Sequence, residues 1–410
     1  MKIIHTSDWH LGKALYGRSR YEEFSAFLDW LCALIESEKA DALLVAGDIF
    51  DTSVSSSRAQ ELYYRFLNSV ARSAVCRHVV IISGNHDSPS FLEAPKALLR
   101  TLNVHVVGVV PEDPIDEVIV LRNAKGEAEA VVAAVPYLRD RDIRTVAPGE
   151  HPDEKNRKLT EGIERHYREV CLAAEQRRLQ EGGGIPLIAM GHLFTAHGST
   201  IEGDGVRELF AGALAHVPRS VFPAGIDYLA LGHLHEAQKV AGEEHLRYSG
   251  APIPMSFGEA GDRKSVIVVE FSDSKPSACT VPVPCFQSLE RIVGTIESIT
   301  QRIHELRSEG SNAWIEIDYT GLDVPEDLRN RFEEAIEGSS LEIRRIKTSQ
   351  AAAFSLQQET GRETLEELSE LDVFSRRLDA GNVPEAERAS LLQAYREVLD
   401  SIREGENDAP

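Results

Sequence analysis

Cysteine is scarce and scattered. The 410-residue chain carries five, Cys32, Cys76, Cys171, Cys279 and Cys285, an odd number with no Cys-x-x-Cys pair. That excludes a disulfide-stapled scaffold or a thiolate cluster and leaves buried, reduced thiols in a cytosolic protein as the expectation. No apolar run reaches the roughly 18 residues of a membrane span, and the N-terminus enters a strand-like segment directly, so neither a span nor a leader is expected. No Gly-x-x-x-x-Gly-Lys-Ser/Thr run occurs, so ATP has no cradle here. Positive charge is short as well: 44 Lys and Arg face 66 Asp and Glu, for a net charge of −22. Phosphate backbones attract basic surfaces. A chain that grips nucleic acid over its whole face is therefore excluded, and any such contact has to be local, metal-assisted or supplied by a partner.

What is present is a set of five short apolar runs, each ending in residues that can hold a metal. Lys2–Ile4 leads into Ser7-Asp8-Trp9-His10, and Ala42–Ala46 into Gly47-Asp48-Ile49-Phe50-Asp51. Val79–Ser83 leads into Gly84-Asn85-His86-Asp87, Leu187–Met190 into Gly191-His192, and Tyr228–Leu231 into Gly232-His233-Leu234-His235. Short aliphatic and β-branched runs read as buried strands. Ligands at their ends fall on loops along one sheet edge, where open α/β sheets place their sites. Asp8, His10, Asp48, Asn85, His192, His233 and His235 form a hard-oxygen and imidazole set without sulfur, suited to Mn, Mg, Fe or Zn. Seven groups are too many for one octahedral ion with an open position. They suit two ions roughly 3.5–4 Å apart that share one carboxylate, and Asp48, in the middle of the ligand order, is the natural bridge. The glycines before the ligands imply either crowding or positive φ. His233 and His235, like Asp8 and His10, are spaced to share a face of extended backbone.

Asp-x-His, Gly-Asp-x-x-Asp, Gly-Asn-His-Asp, Gly-His and Gly-His-x-His, in this order, resemble the calcineurin-like metallophosphoesterase superfamily. The segments His5–Lys13, Gly47–Thr52, Ile82–Pro89, Asp227–His235 and Tyr248–Phe257 narrow the resemblance to the SbcD family of bacterial nuclease subunits. Protein phosphatases of the superfamily carry Arg-Gly after the second motif, where Thr52-Ser53 stand here. Purple acid phosphatases need a tyrosine where this chain has Asp51. The resemblance implies that Asp8, His10, Asp48 and His235 hold one metal, and Asp48, Asn85, His192 and His233 the other. It makes His86 a catalytic histidine oriented by Asp51. It implies two divalent ions, best Mn²⁺, and hydrolysis of DNA phosphodiesters by 3′–5′ exonuclease and hairpin endonuclease action in end processing, recombination and repair. The partners implied are an SbcC-like SMC-family ATPase, DNA and a second copy of the chain, in the cytoplasm with the nucleoid and away from membranes. Small-molecule or nucleotide phosphodiesterases share the site and are the alternative. A non-catalytic scaffold would have lost a ligand, and none is lost. Arg18 and Arg20 after the first metal loop, with Tyr16, are candidates for substrate contact, as is His197 near His192. Trp9 and His5 read as packing.

The predicted fold class is α/β: a metallophosphoesterase two-sheet β-sandwich flanked by helices over residues 1–275. Tyr21–Glu38, Arg58–Arg72 and Asp153–Gln180 have helical apolar spacing. The polar stretch Ser272–Pro276 reads as a linker. Residues 276–350 alternate strand and helix and resemble the small α+β capping domain of the SbcD family. Residues 351–410 read as acidic amphipathic helices, Thr364–Leu378 and Glu385–Arg403, that either pack on their own domain or dock on a partner; the resemblance to the SbcD family implies docking on the ATPase.

Overall fold

The computed structural model describes residues 1–144, 152–195, 217–321 and 324–348, together with Phe374, Leu378, Arg388, Leu391, Leu392 and Tyr395. In the first sheet, Lys2–Thr6, Ala42–Ala46, His78–Ile82 and Val104–Val107 run parallel as successive neighbours. Ser265–Ser272 pairs antiparallel with Lys2–Thr6, and Lys275–Pro282 forms the outer edge. In the second sheet, Tyr228–Gly232 lies parallel between Leu187–His192 and Leu246–Tyr248. Ala128–Ala134 follows on the far side of Leu187–His192, with Val118–Arg122 at that edge and Gln238–Lys239 at the other.

Strand alternation sends residues to opposite faces, and here both faces are buried. Leu44 and Ala46 meet Met190, Tyr228 and Ala230 between the sheets. Their neighbours Leu43 and Val45 meet Phe24, Phe27, Leu31 and Phe66 of the helices Tyr21–Glu38 and Ser57–Ala71. On the second sheet, Ala189 and Leu229 pack under Ile163, Tyr167 and Val170 of Pro152–Gln180. This is why the strands read as unbroken apolar runs. The serine run after Asp51 ends at a helix cap: Ser56 Oγ accepts from the Ala59 amide at 3.2 Å.

The polar stretch predicted as a linker is a hairpin turn. Asp273 and Ser274 take left-handed backbone, φ 50° and 63°, and join Ser265–Ser272 to Lys275–Pro282. Turns and linkers share the same polar composition, and the prolines fit because the second strand is an edge. The first sheet therefore runs to Pro282, beyond the predicted boundary at residue 275. Beyond it, Leu289–Gly294, Trp314–Tyr319 and Glu342–Lys347 form a separate parallel three-stranded sheet. Helices Ile296–Ser308 and Leu328–Ile336 pack on it through Ile299, Ile303 and Phe332. The expectation of buried thiols holds for Cys76 and Cys171, and Cys32 is half-buried; Cys279 and Cys285 are exposed because they lie on the edge strand and the segment after it. Among the described residues no helix is long and apolar enough to cross a membrane. The two predicted C-terminal helices fall almost wholly outside the described residues.

Candidate metal centre

The ligand-bearing strands are parallel neighbours, three in the first sheet and two in the second, so their C-terminal ends gather at one crest of the sandwich. The loops there are bound to one another. The Asp8 amide donates to Gly47 O and the His10 amide to Asp48 O, both at 3.0 Å. The Asp8 carboxylate accepts the His233 amide at 3.0 Å and so ties the two sheets together. Asp87 accepts from the amides of Gly84, Ile49 and Phe50. These bonds hold four of the predicted ligands in left-handed backbone: Asp8 at φ 54°, His10 at 47°, Asp48 at 51° and His233 at 102°. Such conformations are costly for residues other than glycine and cluster at functional sites. The glycines have separate reasons. Gly47 has φ +87°, whereas at Gly84 a Cβ would stand 2.1 Å from Asp48 Oδ1.

Among the described residues the donor atoms converge on three overlapping groups, and the one made of His10, Asp48 and His86 links the other two. In one, Asp8, His10 and His235 lie together, with His10 Nε2 3.2 Å from His235 Nε2. In the other, Asp48, His192 and His233 lie together, and Asn85 Oδ1 is 3.0 Å from both His192 Nε2 and His233 Nδ1. Asp48 Oδ2 stands between them, 3.6 Å from His10 Nε2 and 3.3 Å from His192 Nε2. Ligands about 2.1 Å from an ion lie about 3 Å apart along the edge of its coordination polyhedron. Two facing imidazole Nε2 atoms and a shared carboxylate therefore fit two divalent cations.

Electrostatics divide the set. Burial raises the Asp8 carboxyl to about 6. Burial also lowers His10 to about 4 and His233 to about 3, which favours the neutral ring that a metal would need. Burial disfavours charge on His192 too, but Asp48 overcomes it and holds the ring up at about 9. Asp48 itself is pushed up by burial and, more strongly, down by His192 and His10.

The far nitrogens of His192 and His235 are also hydrogen-bonded, which fixes ring orientation. His192 Nδ1 donates to Ala46 O at 2.9 Å. His235 Nδ1 meets Glu259 Oε1 at 3.2 Å, and Lys264 Nζ meets the other Glu259 oxygen at 2.5 Å. His10 Nδ1 lies 3.5 Å from Asp51 Oδ1, which Lys13 Nζ holds at 3.0 Å.

His86 lies beside the bridge: its amide donates to Asp48 Oδ1 at 2.9 Å, and its ring stands edge-on to His10. Its Nδ1 donates to the Asp51 carbonyl at 2.7 Å. Asp51 therefore orients His86 through its backbone, while its carboxylate serves His10; motif spacing alone could not separate these roles. Arg20 is not available to substrate. It is 2 % exposed, forks onto Glu23 and donates to Pro254 O, because it lies under the start of the first helix. Arg18 is exposed and paired with Glu342 at 3.2 Å. His197 lies outside the described residues. Trp9 is buried edge-on against Phe27 and Phe66, and His5 is buried against Tyr228. Sequence reasoning missed Asp87, Glu259, Lys264 and Lys13. Asp87 and Lys13 stand inside motifs already singled out, whereas no local signal marks Glu259 or Lys264.

Comparison with known proteins gives a consistent result. A family model described as calcineurin-like phosphoesterase matches residues 1–237. One described as type 5 capsule protein repressor C-terminal domain matches residues 285–382. The SbcD subunit of the nuclease SbcCD from Escherichia coli (strain K12) is 35% identical over 416 aligned positions, covering 100% of both chains. The proteins of the same name from Rhodobacter capsulatus and Bacillus subtilis (strain 168) are 39% and 34% identical. The first alignment covers 69% of this chain and 70% of the relative, the second 67% of each.

Proposed function

Because this chain belongs to the calcineurin-like metallophosphoesterases and, within them, to the SbcD nuclease subunits, we propose that it hydrolyses DNA phosphodiester bonds at a binuclear centre loaded with Mn²⁺. The observation that carries this reading is Asp48, whose carboxylate faces two ligand clusters while His86 stands beside it. Asp8, His10, Asp48 and His235 would hold one ion, and Asp48, Asn85, His192 and His233 the other. Bound ions supply charge stabilisation and an activated water. The chain's own contribution is orientation and proton handling. With His86 Nδ1–H committed to the Asp51 carbonyl, Nε2 is the atom free to take up a proton, and the imidazolium so formed would give that proton to the leaving oxygen and return to the neutral ring. The partners of His10, His192 and His235 would keep the ligands in place between turnovers.

We assign catalysis to the two-sheet body, DNA selection to the small parallel module and docking on an SbcC-like SMC-family ATPase to residues 351–410. Two copies of each protein would form the working complex, in the cytoplasm with the nucleoid, acting on duplex ends 3′ to 5′ and on hairpins. A net charge of −22 favours shared DNA binding with that partner. The test is incubation with Mn²⁺ and a linear duplex closed by one hairpin, with and without the ATPase and ATP. Metal-dependent cleavage stimulated by the ATPase is expected. Turnover of a small phosphodiester without DNA cleavage under either condition would replace this reading with a small-molecule phosphodiesterase.

A further inference from the structure

A hairpin just past the first metal loop ties the small module to one half of the metal centre. Ala14–Leu15 pairs with Arg18–Ser19, and the tip is Tyr16-Gly17. Tyr16 takes φ 44° and Gly17 φ 80°. Asparagine or glycine would enter such a turn more cheaply than a tyrosine, so the ring needs a reason to be there. Its contacts supply one. The ring stacks on Phe257 with centroids 5.7 Å apart, and the Arg345 guanidinium lies over it at 4.8 Å. Arg345 Nη1 donates to the Tyr16 hydroxyl at 2.5 Å, and Arg344 Nη2 donates to the Tyr16 carbonyl at 2.8 Å. Beneath it, Leu15 is buried with Phe257, Leu289 and Trp314.

Two threads run from this point, and both end on the same ligands. The hairpin is continuous with Asp8 and His10. Phe257 opens the short turn Phe257–Glu259, whose Glu259 holds His235. Arg344, Arg345, Leu289 and Trp314 all belong to the small sheet. Arg18 of the same hairpin pairs with Glu342 of that sheet, but Tyr16 touches at once the sheet, through Arg344 and Arg345, and Phe257, and so both supports of the Asp8–His10–His235 cluster.

We propose that Tyr16 is a positioning residue that sets the small module in register with the Asp8–His10–His235 half of the metal centre, and so governs substrates long enough to touch both. A small ester that reaches only the ions does not depend on it. This rests on the nuclease reading above, and the experiment separates the two. In the assembled complex, KM and kcat for a hairpin-ended duplex are compared with turnover of bis(p-nitrophenyl) phosphate in Tyr16→Ala, Tyr16→Phe and Arg345→Ala. Tyr16→Ala and Arg345→Ala are expected to raise KM for the duplex roughly tenfold, the scale of losing a ring stack and a cation contact. Duplex kcat and small-ester turnover stay unchanged, and Tyr16→Phe, which keeps the stack, stays near the wild-type KM. Tyr16→Phe removes the hydroxyl and keeps the ring, so a near-wild-type KM in that variant shows that the Tyr16→Ala loss is not a lost hydroxyl–phosphate contact. Hydrogen exchange at residues 14–19 is expected to rise in Arg345→Ala while Lys2–Thr6 stays protected. Unchanged KM, or equal loss on both substrates, would overturn the proposal, as would unchanged exchange. If the wild-type complex does not cut DNA, the nuclease reading fails, and the exchange experiment still decides whether the hairpin is held by the module.

Discussion

Glu259→Gln is the most informative single substitution outside the ligands. Glu259 is 1 % exposed and joins three groups: His235 Nδ1 at 3.2 Å, Lys264 Nζ at 2.5 Å and the Met255 amide at 3.1 Å. Glutamine keeps the shape and removes the charge. His235 then loses the carboxylate that aims its ring at Asp8 and His10, a change that commonly costs about 10–100-fold in metal affinity. Lys264, itself 7 % exposed, loses its closest anion. Asp262 at 3.5 Å and the His235 carbonyl at 3.3 Å remain to it, which puts the stability cost near the lower end of the about 1–3 kcal/mol for an unsatisfied buried group. Calorimetric titration with Mn²⁺, alongside thermal unfolding, reads both quantities. The loss should fall on one of the two binding events, because Asn85, His192 and His233 do not touch Glu259. Wild-type affinity in a folded variant, or equal weakening of both events, would refute the reasoning.

His86→Leu is expected to keep both ions and lose turnover by about 10²–10⁴, the usual weight of a general acid; full turnover of a DNA substrate by this variant would remove His86 from the reaction. Metal uptake should release a proton. In the ion-free site Asp48 raises His192 to about 9, so the ring is charged at neutral pH, and a metal takes only its neutral form. Affinity should rise with pH from neutral to about 9 and then level off; calorimetry in buffers of different ionisation enthalpy that finds no proton released would contradict this. Truncation after Gln350 should abolish ATPase binding and leave Mn²⁺ uptake intact; co-elution of the truncated chain with the ATPase would refute the docking assignment.

The legible parts of the molecule are those whose cause is local in the chain. Each ligand-bearing strand is buried on both faces, so it reads as an apolar run, and its predicted ligands stand within a few residues of its end. Order along the sequence therefore maps onto order along the crest. His5 and Trp9 read correctly as packing because both sit within or against the first strand. What escaped was set by distant contacts. Glu259 reaches His235 from 24 residues away, and Lys264 reaches Glu259 from the far side of a turn. The motif marks Asp51, but whether its carbonyl or its carboxylate meets His86 depends on the backbone path. Arg20 resembles any surface arginine until Glu23 and Pro254 close over it. Ser272–Pro276 has the composition of a linker because a tight hairpin uses the same residues. Tyr16 shows the same limit: its role rests on Arg344 and Arg345, 328 and 329 residues away.

The central claim is that one carboxylate joins two ions, and counting ions tests it most directly. Equilibrium dialysis against Mn²⁺ followed by elemental analysis is predicted to give two ions per wild-type chain and none in a folded Asp48→Ala variant. A single ion in the wild type, or two retained without Asp48, would contradict the binuclear account.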